Sequence, residues 1–321
     1  MRRRSFTAAL LALAGGGTWA QGGWPLKPIR WIVGFPAGGA SDGVVRALAE
    51  PMQASLGQPL IVDNRPGASG QIAVAALLQA PPDGYTIMNA ENATLMFNEH
   101  LYPKLAYNRD KDFSYVGAIG RVPVTLVVHP GFQARTLPDF VVYAKAHPGK
   151  VNFASAGNTS LHRIAMEMFQ RAAGLRLTHV PYKGGSPAVQ DVIGGQVEAM
   201  MMDLTIGLQN IRAGQVRPLA VAATHRIASI PDVPTFAELG LQQVNAFTLH
   251  GVVGPAGLAA PVIDRLNSEI NKATRQPKVM QLFADAGLEP SPGTPADFRN
   301  LVRAESARWG EVIRAARIQV E

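Results

Sequence analysis

The stretch Gly34-Phe-Pro-Ala-Gly-Gly-Ala-Ser-Asp42 lies between a short apolar run at residues 29–33 and a segment with helical apolar spacing. A strand that turns through glycines into a helix is the building unit of parallel α/β sheets, so this stretch predicts an α/β fold. Glycines let the backbone approach a ligand, and the free N–H groups at a helix start favour an anion. Ser41 and Asp42 also suit a helix cap, so a capped turn without a ligand is the alternative. We call residues 34–42 the first loop.

Further short apolar runs alternate with helical patterns, which indicates parallel sheets flanked by helices. The helix after the first loop carries an apolar stripe, but Pro51 predicts a kink or a break near Glu50, because an interior proline costs about 3 kcal/mol. A last long helix, at residues 295–317, has an apolar side that must pack on a domain. The predicted strands lie at residues 29–33, 60–62, 86–88, 152–154, 178–180, 198–201 and 219–222.

Three other glycine-rich junctions repeat the arrangement of strand, turn and helix. They are residues 63–70, residues 155–162, which we call the second loop, and residues 181–187, which we call the third loop. Arg65 either pairs with a ligand carboxylate or ties its loop to its own domain. Similar junctions in both halves of the chain predict a cleft between two lobes.

Length and composition limit the class of protein. The 321 residues suffice for two domains, and without cysteine the chain forms no disulfide, thiolate metal site or catalytic thiol. The formal net charge of +7 becomes +4 when the three arginines of residues 1–20 are removed. This mild excess, without a basic cluster interleaved with aromatic residues, argues against nucleic-acid binding.

The N-terminal residues predict export. Arg2-Arg-Arg4 precedes an apolar run at residues 6–14 and the sequence Thr18-Trp-Ala20, which is the pattern of a signal peptide at residues 1–20 with cleavage near Ala20-Gln21. The arginine cluster fits both the general and the twin-arginine export route. No later segment has the roughly 18 apolar residues that span a bilayer. We therefore expect a soluble monomer in the periplasm, with no membrane insertion of the mature chain.

The motifs of several enzyme classes are missing. The sequence has no G-x-x-x-x-G-K-[ST] or G-x-G-x-x-G motif, and its seven histidines show no metal-ligand spacing. A triad of Ser160 with His162 or His179 and an aspartate stays open, because triads are recognised by geometry. His162 equally fits a histidine satisfied at a helix start. We predict a binding protein rather than an enzyme, with no metal and no cofactor.

Eight segments follow one another in a specific order: Trp24-Pro-Leu-Lys-Pro-Ile-Arg30, Gly34-Phe-Pro-Ala-Gly-Gly-Ala-Ser-Asp42, Asp63-Asn-Arg-Pro-Gly-Ala-Ser-Gly70, Pro82-Asp-Gly-Tyr-Thr86, Pro181-Tyr-Lys-Gly-Gly185, Gly194-Gly-Gln-Val197, Met202-Asp203 and Ile230-Pro-Asp-Val-Pro-Thr235. In this order the chain resembles the substrate-binding receptors of tripartite tricarboxylate transporters, also called Bug receptors. The resemblance covers nearly all of the mature chain.

This resemblance implies an α/β, two-lobed periplasmic-binding-protein type II fold, with residues 21–123 and 248–321 in lobe 1 and residues 124–247 in lobe 2. It implies a receptor that captures a small carboxylate for membrane transporter subunits. In the family, the first and second loops lie in opposite lobes and hold one carboxylate, largely through backbone groups and ordered water. The ligand-binding residues expected here are Phe35, Ala37, Gly38, Gly39, Ala40, Ser41, Asp42, Glu91, Ser155, Asn158, Thr159, Ser160, His162, Tyr182, Lys183, Gly184 and Asp203.

Three features depart from the family pattern. The second loop lacks a glycine and one further residue before His162. Glu91 stands where a small or neutral residue is expected, and Asp203, which family members can use for a ligand amino group, also fits a helix cap. If both carboxylates line the cleft they repel a dianion, which favours a monocarboxylate with an ammonium group or several hydroxyl or amide donors.

Three function classes remain compatible with the sequence. They are a transport receptor, a ligand-binding subunit of a sensor protein, and an exported enzyme such as a hydrolase. The first two share a pocket and differ in the partner that contacts the surface, whereas an enzyme turns over the acid that it binds.

Overall fold

The computed structural model describes residues 23–320, and the predicted signal peptide lies outside the described residues. This part of the chain alternates strands and helices. The strands are β1 (Ile29–Val33), β2 (Leu60–Asn64), β3 (Thr86–Ala90), β4 (Phe113–Val128), β5 (Asn152–Ser155), β6 (Thr178–Pro181), β7 (Ala199–Asp203), β8 (Arg217–Val221), β9 (Phe247–Pro255) and β10 (Glu289–Pro290). The helices are α1 (Ala40–Leu56), α2 (Gln71–Leu78), α3 (Asn98–Leu101), α4 (Arg109–Asp112), α5 (Leu137–Ala146), α6 (Leu161–Ala173), α7 (Gly185–Ile193), α8 (Leu204–Arg212), α9 (Ala260–Ala273), α10 (Pro277–Asp285) and α11 (Pro295–Ala315).

The strands form one mixed sheet in the order β2-β1-β3-β9-β4-β7-β5-β6, with β8 and β10 also paired to β4. In lobe 1, β1 pairs in parallel with β2 and β3. In lobe 2, β5 pairs in parallel with β6 and β7. The carboxyl ends of parallel strands lie at one edge of a sheet, so the loops that follow them gather at that edge in each lobe.

Strands β4 and β9 connect the lobes. β4 pairs antiparallel with β9 from Phe113 to Pro123, and from Val124 to Val128 it pairs with β7. β9 in turn pairs with β3. One long strand therefore belongs to the sheets of both lobes.

The structure contains all seven predicted strands within a few residues of the expected bounds. It also contains β4 and β9, which the sequence pattern did not predict. In β4, Gly117, Gly120 and Pro123 resemble turn signals, and the pairing with β9 shifts register near both glycines. Because β-bulges interrupt the regular pairing here, β4 continues through glycines and a proline that usually end a strand.

Helix α1 does not break at Pro51. The helix is continuous over Ala40–Leu56, although proline cannot donate to the carbonyl one turn earlier. Leu48 and Met52 flank the proline and are buried in the core on one face of the lobe 1 sheet. Of the predicted kink or break, the break is therefore absent, because burial of the apolar stripe outweighs one missing hydrogen bond.

The last helix, α11, packs on the core as predicted. Thr294 and Asp297 form a capping box at its start. Trp309 is fully buried and meets the ring of Phe97 edge-on, with centroids 5.4 Å apart. At 21 residues α11 is long, yet neither it nor another helix within residues 23–320 has the apolar character needed to cross a membrane.

Replacing Pro51 with alanine should stabilise the protein. Pro51→Ala restores a backbone donor inside a continuous helix and is expected to raise the free energy of unfolding by about 1–3 kcal/mol, measured by urea denaturation. Pro295→Ala is the control, because proline at the first position of α11 displaces no hydrogen bond and its loss should leave stability equal or slightly lower. Equal stability of wild type and Pro51→Ala would contradict this account.

Candidate ligand-binding site

A cavity of about 370 Å³ lies between the two lobes. Its wall comes from residues that follow β1, β2 and β3 in lobe 1 and β5 and β6 in lobe 2, together with the last residue of β7 and one residue of β9. Such a position, at the carboxyl ends of parallel strands, is where α/β proteins bind ligands. The lining residues are Phe35, Ser69, Glu91, Asn92, Ala93, Phe97, Ala156, Gly157, Thr159, Ser160, Leu161, His162, Gly184, Gly185, Asp203 and Thr248.

Asp42 holds the first loop in shape. Its Oδ2 accepts hydrogen bonds from the Gly38 amide at 2.9 Å and from Arg46 Nε at 2.8 Å, and its Oδ1 accepts one from Asn64 Nδ2 at 3.1 Å. Burial acts to raise the pKa of Asp42, but these hydrogen bonds outweigh it and lower the pKa below its ordinary value. The Gly38 amide is therefore already engaged by the protein itself.

Neither Ser41 nor Asp42 is the N-cap of α1, contrary to the sequence-based expectation. Gly39 occupies that position, and no side chain caps the helix. Ser41 instead lies in the first turn, is 5% exposed and donates its hydroxyl to Glu91. The expectation that the chain has no G-x-S-x-G motif of hydrolase nucleophiles was wrong, because Gly39-Ala-Ser-Asp-Gly43 has this spacing. Within residues 23–320, however, Ser41 makes no hydrogen bond to a histidine, so no triad forms around it.

The junction at residues 63–70 braces the first loop. Asn64 Nδ2 donates to the carbonyl of Phe35 at 3.1 Å, and Arg65 donates to Asp63 at 3.0 Å within its own loop. Ala68 and Ser69 have φ angles of 47° and 51°, which are uncommon outside glycine. A strained backbone of this kind persists only where the surrounding structure holds it in place. Ser69 is itself part of the cavity wall.

Hydrogen bonds within the second loop bring the start of α6 to the cavity. Ser160 is the N-cap, and its hydroxyl accepts from the Arg163 amide at 3.4 Å. Ser155 Oγ lies 2.7 Å from Nε2 of His179, whose pKa is lowered to about 4 by burial and then by the charge of Arg163. Among the described residues Ser160 bonds to neither His162 nor His179, so the triad left open by the sequence is not assembled.

The third loop reaches the cavity through its glycines. Gly184 is the N-cap of α7 with a φ of 119°, and Gly185 lies beside it in the wall. Tyr182 donates its hydroxyl to Asp191 at 2.7 Å, and Lys183 is exposed. Tyr182 and Lys183 therefore lie outside the cavity wall.

Asp203, at the end of β7, connects α6 and β9 at the cavity wall. Its Oδ2 lies 2.6 Å from Nε2 of His162, and its Oδ1 accepts a hydrogen bond from Thr248 at 2.7 Å. Burial acts to raise its pKa, but His162 and then Thr248 outweigh burial, and the pKa of Asp203 is lowered. Asp203 occupies the N-cap position of α8, as the helix-cap interpretation expected, but its carboxylate makes no cap hydrogen bond and bonds to these two partners instead.

Glu91 is the second buried carboxyl at the cavity, and it is 8% exposed. Its Oε1 accepts hydrogen bonds from Ser41 and from Asn89 Nδ2 at 3.3 Å, and lies 3.4 Å from Nδ1 of His250. Burial, and then the charge of Asp203, raises the pKa of Glu91 to about 8, while burial lowers the pKa of His250 to about 4. At neutral pH the Glu91–His250 pair therefore holds one proton, on Glu91, and carries no net charge.

This charge state changes the argument about the ligand. The expectation of a monocarboxylate assumed two negative charges in the cleft. At neutral pH Glu91 is uncharged, and the charge of Asp203 is covered by His162 and Thr248. The repulsion expected against a dianion is therefore much reduced.

The predicted ligand-binding residues fall into two groups. Those in the cavity wall are Phe35, Glu91, Thr159, Ser160, His162, Gly184 and Asp203. Those outside the wall are Ala37, Gly38, Gly39, Ala40, Ser41, Asp42, Ser155, Asn158, Tyr182 and Lys183. Sequence reasoning missed other lining residues; Ser69 and Gly185 belong to junctions already noted, whereas Thr248 lies on the unpredicted strand β9. The missed residues are Ser69, Asn92, Ala93, Phe97, Ala156, Gly157, Leu161, Gly185 and Thr248.

Glu91 should give the free protein a distinctive pH dependence of stability. The folded state keeps the Glu91 proton up to about pH 8, whereas the unfolded chain loses it near 4.5, so this contribution to stability is lost as pH rises. His250 opposes the effect below pH 6.5, where the unfolded chain binds its proton. From pH 6.5 to 8 the free energy of unfolding should fall by about 1 kcal/mol in wild type and not in Glu91→Gln. Urea denaturation measures it, and equal pH slopes would contradict the assignment.

Comparison with known proteins places this architecture in one family. The model for the tripartite tricarboxylate transporter family receptor matches residues 44–318. Protein BugT of Bordetella pertussis (strain Tohama I) is 37% identical over 292 residues, which cover 91% of this chain and 90% of BugT.

Solved structures agree in fold over nearly the whole chain. R. palustris Rpa4515 with adipate is 29% identical with a TM-score of 0.84, covering 93% of this chain and 100% of that one. The periplasmic binding protein BugD is 30% identical with a TM-score of 0.80, covering 92% of this chain and 100% of that one. The two-lobed periplasmic-binding-protein fold and the resemblance read from the sequence are thereby confirmed, and the chain belongs to the tripartite tricarboxylate transporter receptor family.

Proposed function

We propose that this chain is an extracytoplasmic receptor that captures a small carboxylate between its lobes and delivers it to the membrane subunits of a tripartite tricarboxylate-type transporter. The observation that carries the proposal is the cavity itself, whose wall combines loops of both lobes with the start of α6. Lobe 1 comprises residues 21–123 and 248–321, and lobe 2 comprises residues 124–247. The change of partner along β4, between Pro123 and Val124, supports this division.

Two helix starts supply the donors for the ligand carboxylate. The N–H groups in the first turns of α1 and α6 have no partner within their helices, and the helix dipole adds partial positive charge there. Ser41, in the first turn of α1, bonds to the cavity residue Glu91, while Leu161 and His162, in the first turn of α6, lie in the wall. Closure of the lobes would bring both turns onto one carboxylate, with water filling the remaining contacts.

The described part of the wall contains no lysine or arginine. Backbone donors therefore carry the attraction for the acid, which agrees with the backbone-mediated contacts expected from the family resemblance. A larger surface cavity, of about 550 Å³, lies between α6 and α11, but its Arg308 is already paired with Glu305. The cavity between the lobes is the better candidate.

The relatives support the class of ligand and the compartment. Rpa4515 was solved with adipate, and BugD is described as a periplasmic binding protein. We propose the same setting for this chain, as a periplasmic monomer that has lost residues 1–20 by cleavage near Ala20-Gln21 and that binds its acid without turnover or cofactor.

Removing one backbone donor should weaken binding without harming the fold. Ala40 is the first residue of α1, where proline fits the helix, and Gly39 before it has ψ of 174°, which a following proline permits. Hydrogen bonds to charged groups contribute about 1.5–3 kcal/mol, so Ala40→Pro should weaken the Kd of a bound acid at least about tenfold. The ligand is first identified by a thermal-shift panel of small acids on the chain without residues 1–20. A ligand at about 100 times its Kd adds roughly 2.7 kcal/mol of stability, which raises the Tm.

The ligand-free Tm of Ala40→Pro is the control and should equal that of wild type. Acid recovered after incubation with the protein should be chemically unchanged. A panel in which no carboxylate raises the Tm would refute the proposed function, and unchanged affinity in Ala40→Pro would refute the role of the α1 turn.

A further inference from the structure

The cavity between the lobes has an apolar part. Five residues of its wall have hydrocarbon side chains: Phe35 after β1, Ala93 and Phe97 after β3, and Ala156 and Leu161 after β5. Phe35 is 37% exposed, and no phenylalanine, tyrosine or tryptophan within residues 23–320 is more exposed. A ligand that covers this ring removes it from water, which favours a ligand with an apolar surface of its own.

Most polar side chains of the wall already have partners within the protein. Asn92 bonds through both polar atoms of its side chain to the backbone of Phe247 and Leu249, at 2.8 and 2.6 Å. Ser160 donates its hydroxyl to the carbonyl of Gly157 at 2.8 Å. Neither side chain can bind a ligand without breaking a hydrogen bond that the protein already makes.

The ionisable side chains of the wall are also engaged. Asp203 Oδ2 lies 2.6 Å from Nε2 of His162, and Thr248 donates to Asp203 Oδ1 at 2.7 Å. The other ring nitrogen of His162 is buried away from solvent. Glu91 bonds to Ser41 in the first turn of α1, which places it beside the first carboxylate of the ligand. In the described wall, no ionisable side chain is therefore left to hold a second carboxylate elsewhere.

The start of α7 is a weak source of further donors. Gly185 and Ser186 have amides in its first turn, but Pro187, its third residue, has none, and of these three only Gly185 lies in the wall. Ser69 and Thr159 can still donate a hydroxyl hydrogen, but they carry no charge. A second carboxylate would leave water for uncharged donors alone, at a net cost in free energy.

We infer that the ligand is a monocarboxylic acid whose remaining part is hydrocarbon, an aryl or alkyl group that packs on Phe35 and its apolar neighbours. The inference rests on the proposed function, in which the first turns of α1 and α6 hold the carboxylate. It keeps the single carboxylate expected from the sequence and replaces the expected ammonium, hydroxyl or amide groups with hydrocarbon, because Asp203 is already held by His162 and Thr248. Such a ligand differs from adipate, the diacid with which Rpa4515 was solved.

Isothermal titration calorimetry on the chain without residues 1–20 tests the inference with matched acids. Along the series butyrate, pentanoate and hexanoate, each added methylene should tighten the Kd about fourfold and make the heat-capacity change of binding more negative. Hexanoate should bind at least about tenfold tighter than adipate, and 3-phenylpropionate at least about tenfold tighter than phenylalanine. Benzoate compared with hexanoate distinguishes an aryl from an alkyl ligand.

Variants of Phe35 test where the hydrocarbon lies. Phe35→Ala removes the ring and should weaken hexanoate binding at least about tenfold, whereas Phe35→Leu keeps an apolar side chain and should stay within about threefold of wild type. Both variants should keep the ligand-free Tm of wild type, since Phe35 is exposed. Met280→Ala is the control and should bind as wild type, because Met280 is 52% exposed on α10 and lies outside the cavity wall.

The outcomes separate this inference from the proposed function. Adipate or phenylalanine that binds as tightly as its matched acid overturns the hydrocarbon ligand and leaves a carboxylate receptor. A Kd that does not change along the alkyl series, or hexanoate affinity that is unchanged in Phe35→Ala, also overturns it. The series decides the question even if Phe35→Ala fails to fold. Failure of every carboxylate to bind overturns the proposed function as well.

Discussion

The antiparallel pairing of β4 with β9 is the interaction on which the rest of the structure depends. β4 pairs with β9 up to Pro123 and with β7 from Val124, so one strand is shared by the sheets of both lobes. The loops at the carboxyl ends of β1, β3, β5 and β7 are thereby directed toward one cavity. Asn92 adds to this connection, because its side chain bonds to the backbone of Phe247 and Leu249 at the start of β9.

The position of the connecting strands also affects the charges of the carboxyl groups at the cavity wall. Two carboxyl groups, of the buried Glu91 and the partly buried Asp203, lie near the connecting strands, and they differ in charge. Asp203 stays ionised because His162 and Thr248 supply hydrogen bonds, whereas burial leaves Glu91 protonated beside a neutral His250. Separating two nearby acids into one charged and one neutral group avoids the cost of two unscreened charges. The arrangement also leaves the donors for a ligand carboxylate to the backbone.

Much of the fold could be predicted from the sequence, because apolar runs and glycine-rich turns mark parallel strands and the helices after them. β4 and β9 could not, since their glycines and Pro123 look like turns until the bulged pairing is known. At the site, local patterns located the first and second loops, but Ser41, Asp42 and Asp203 each bond to a residue of a distant element. The sequence pattern favoured helix caps for these residues, but their side chains bond to distant residues and make no cap hydrogen bond.

The central claim is that the cavity between the lobes holds the carboxylate of a small acid against the first turns of α1 and α6. A crystal structure of the protein with its acid tests this most directly. The account predicts electron density for a carboxylate between the backbone amides of these two turns. An acid bound at another surface, with this cavity filled only by water, would contradict it.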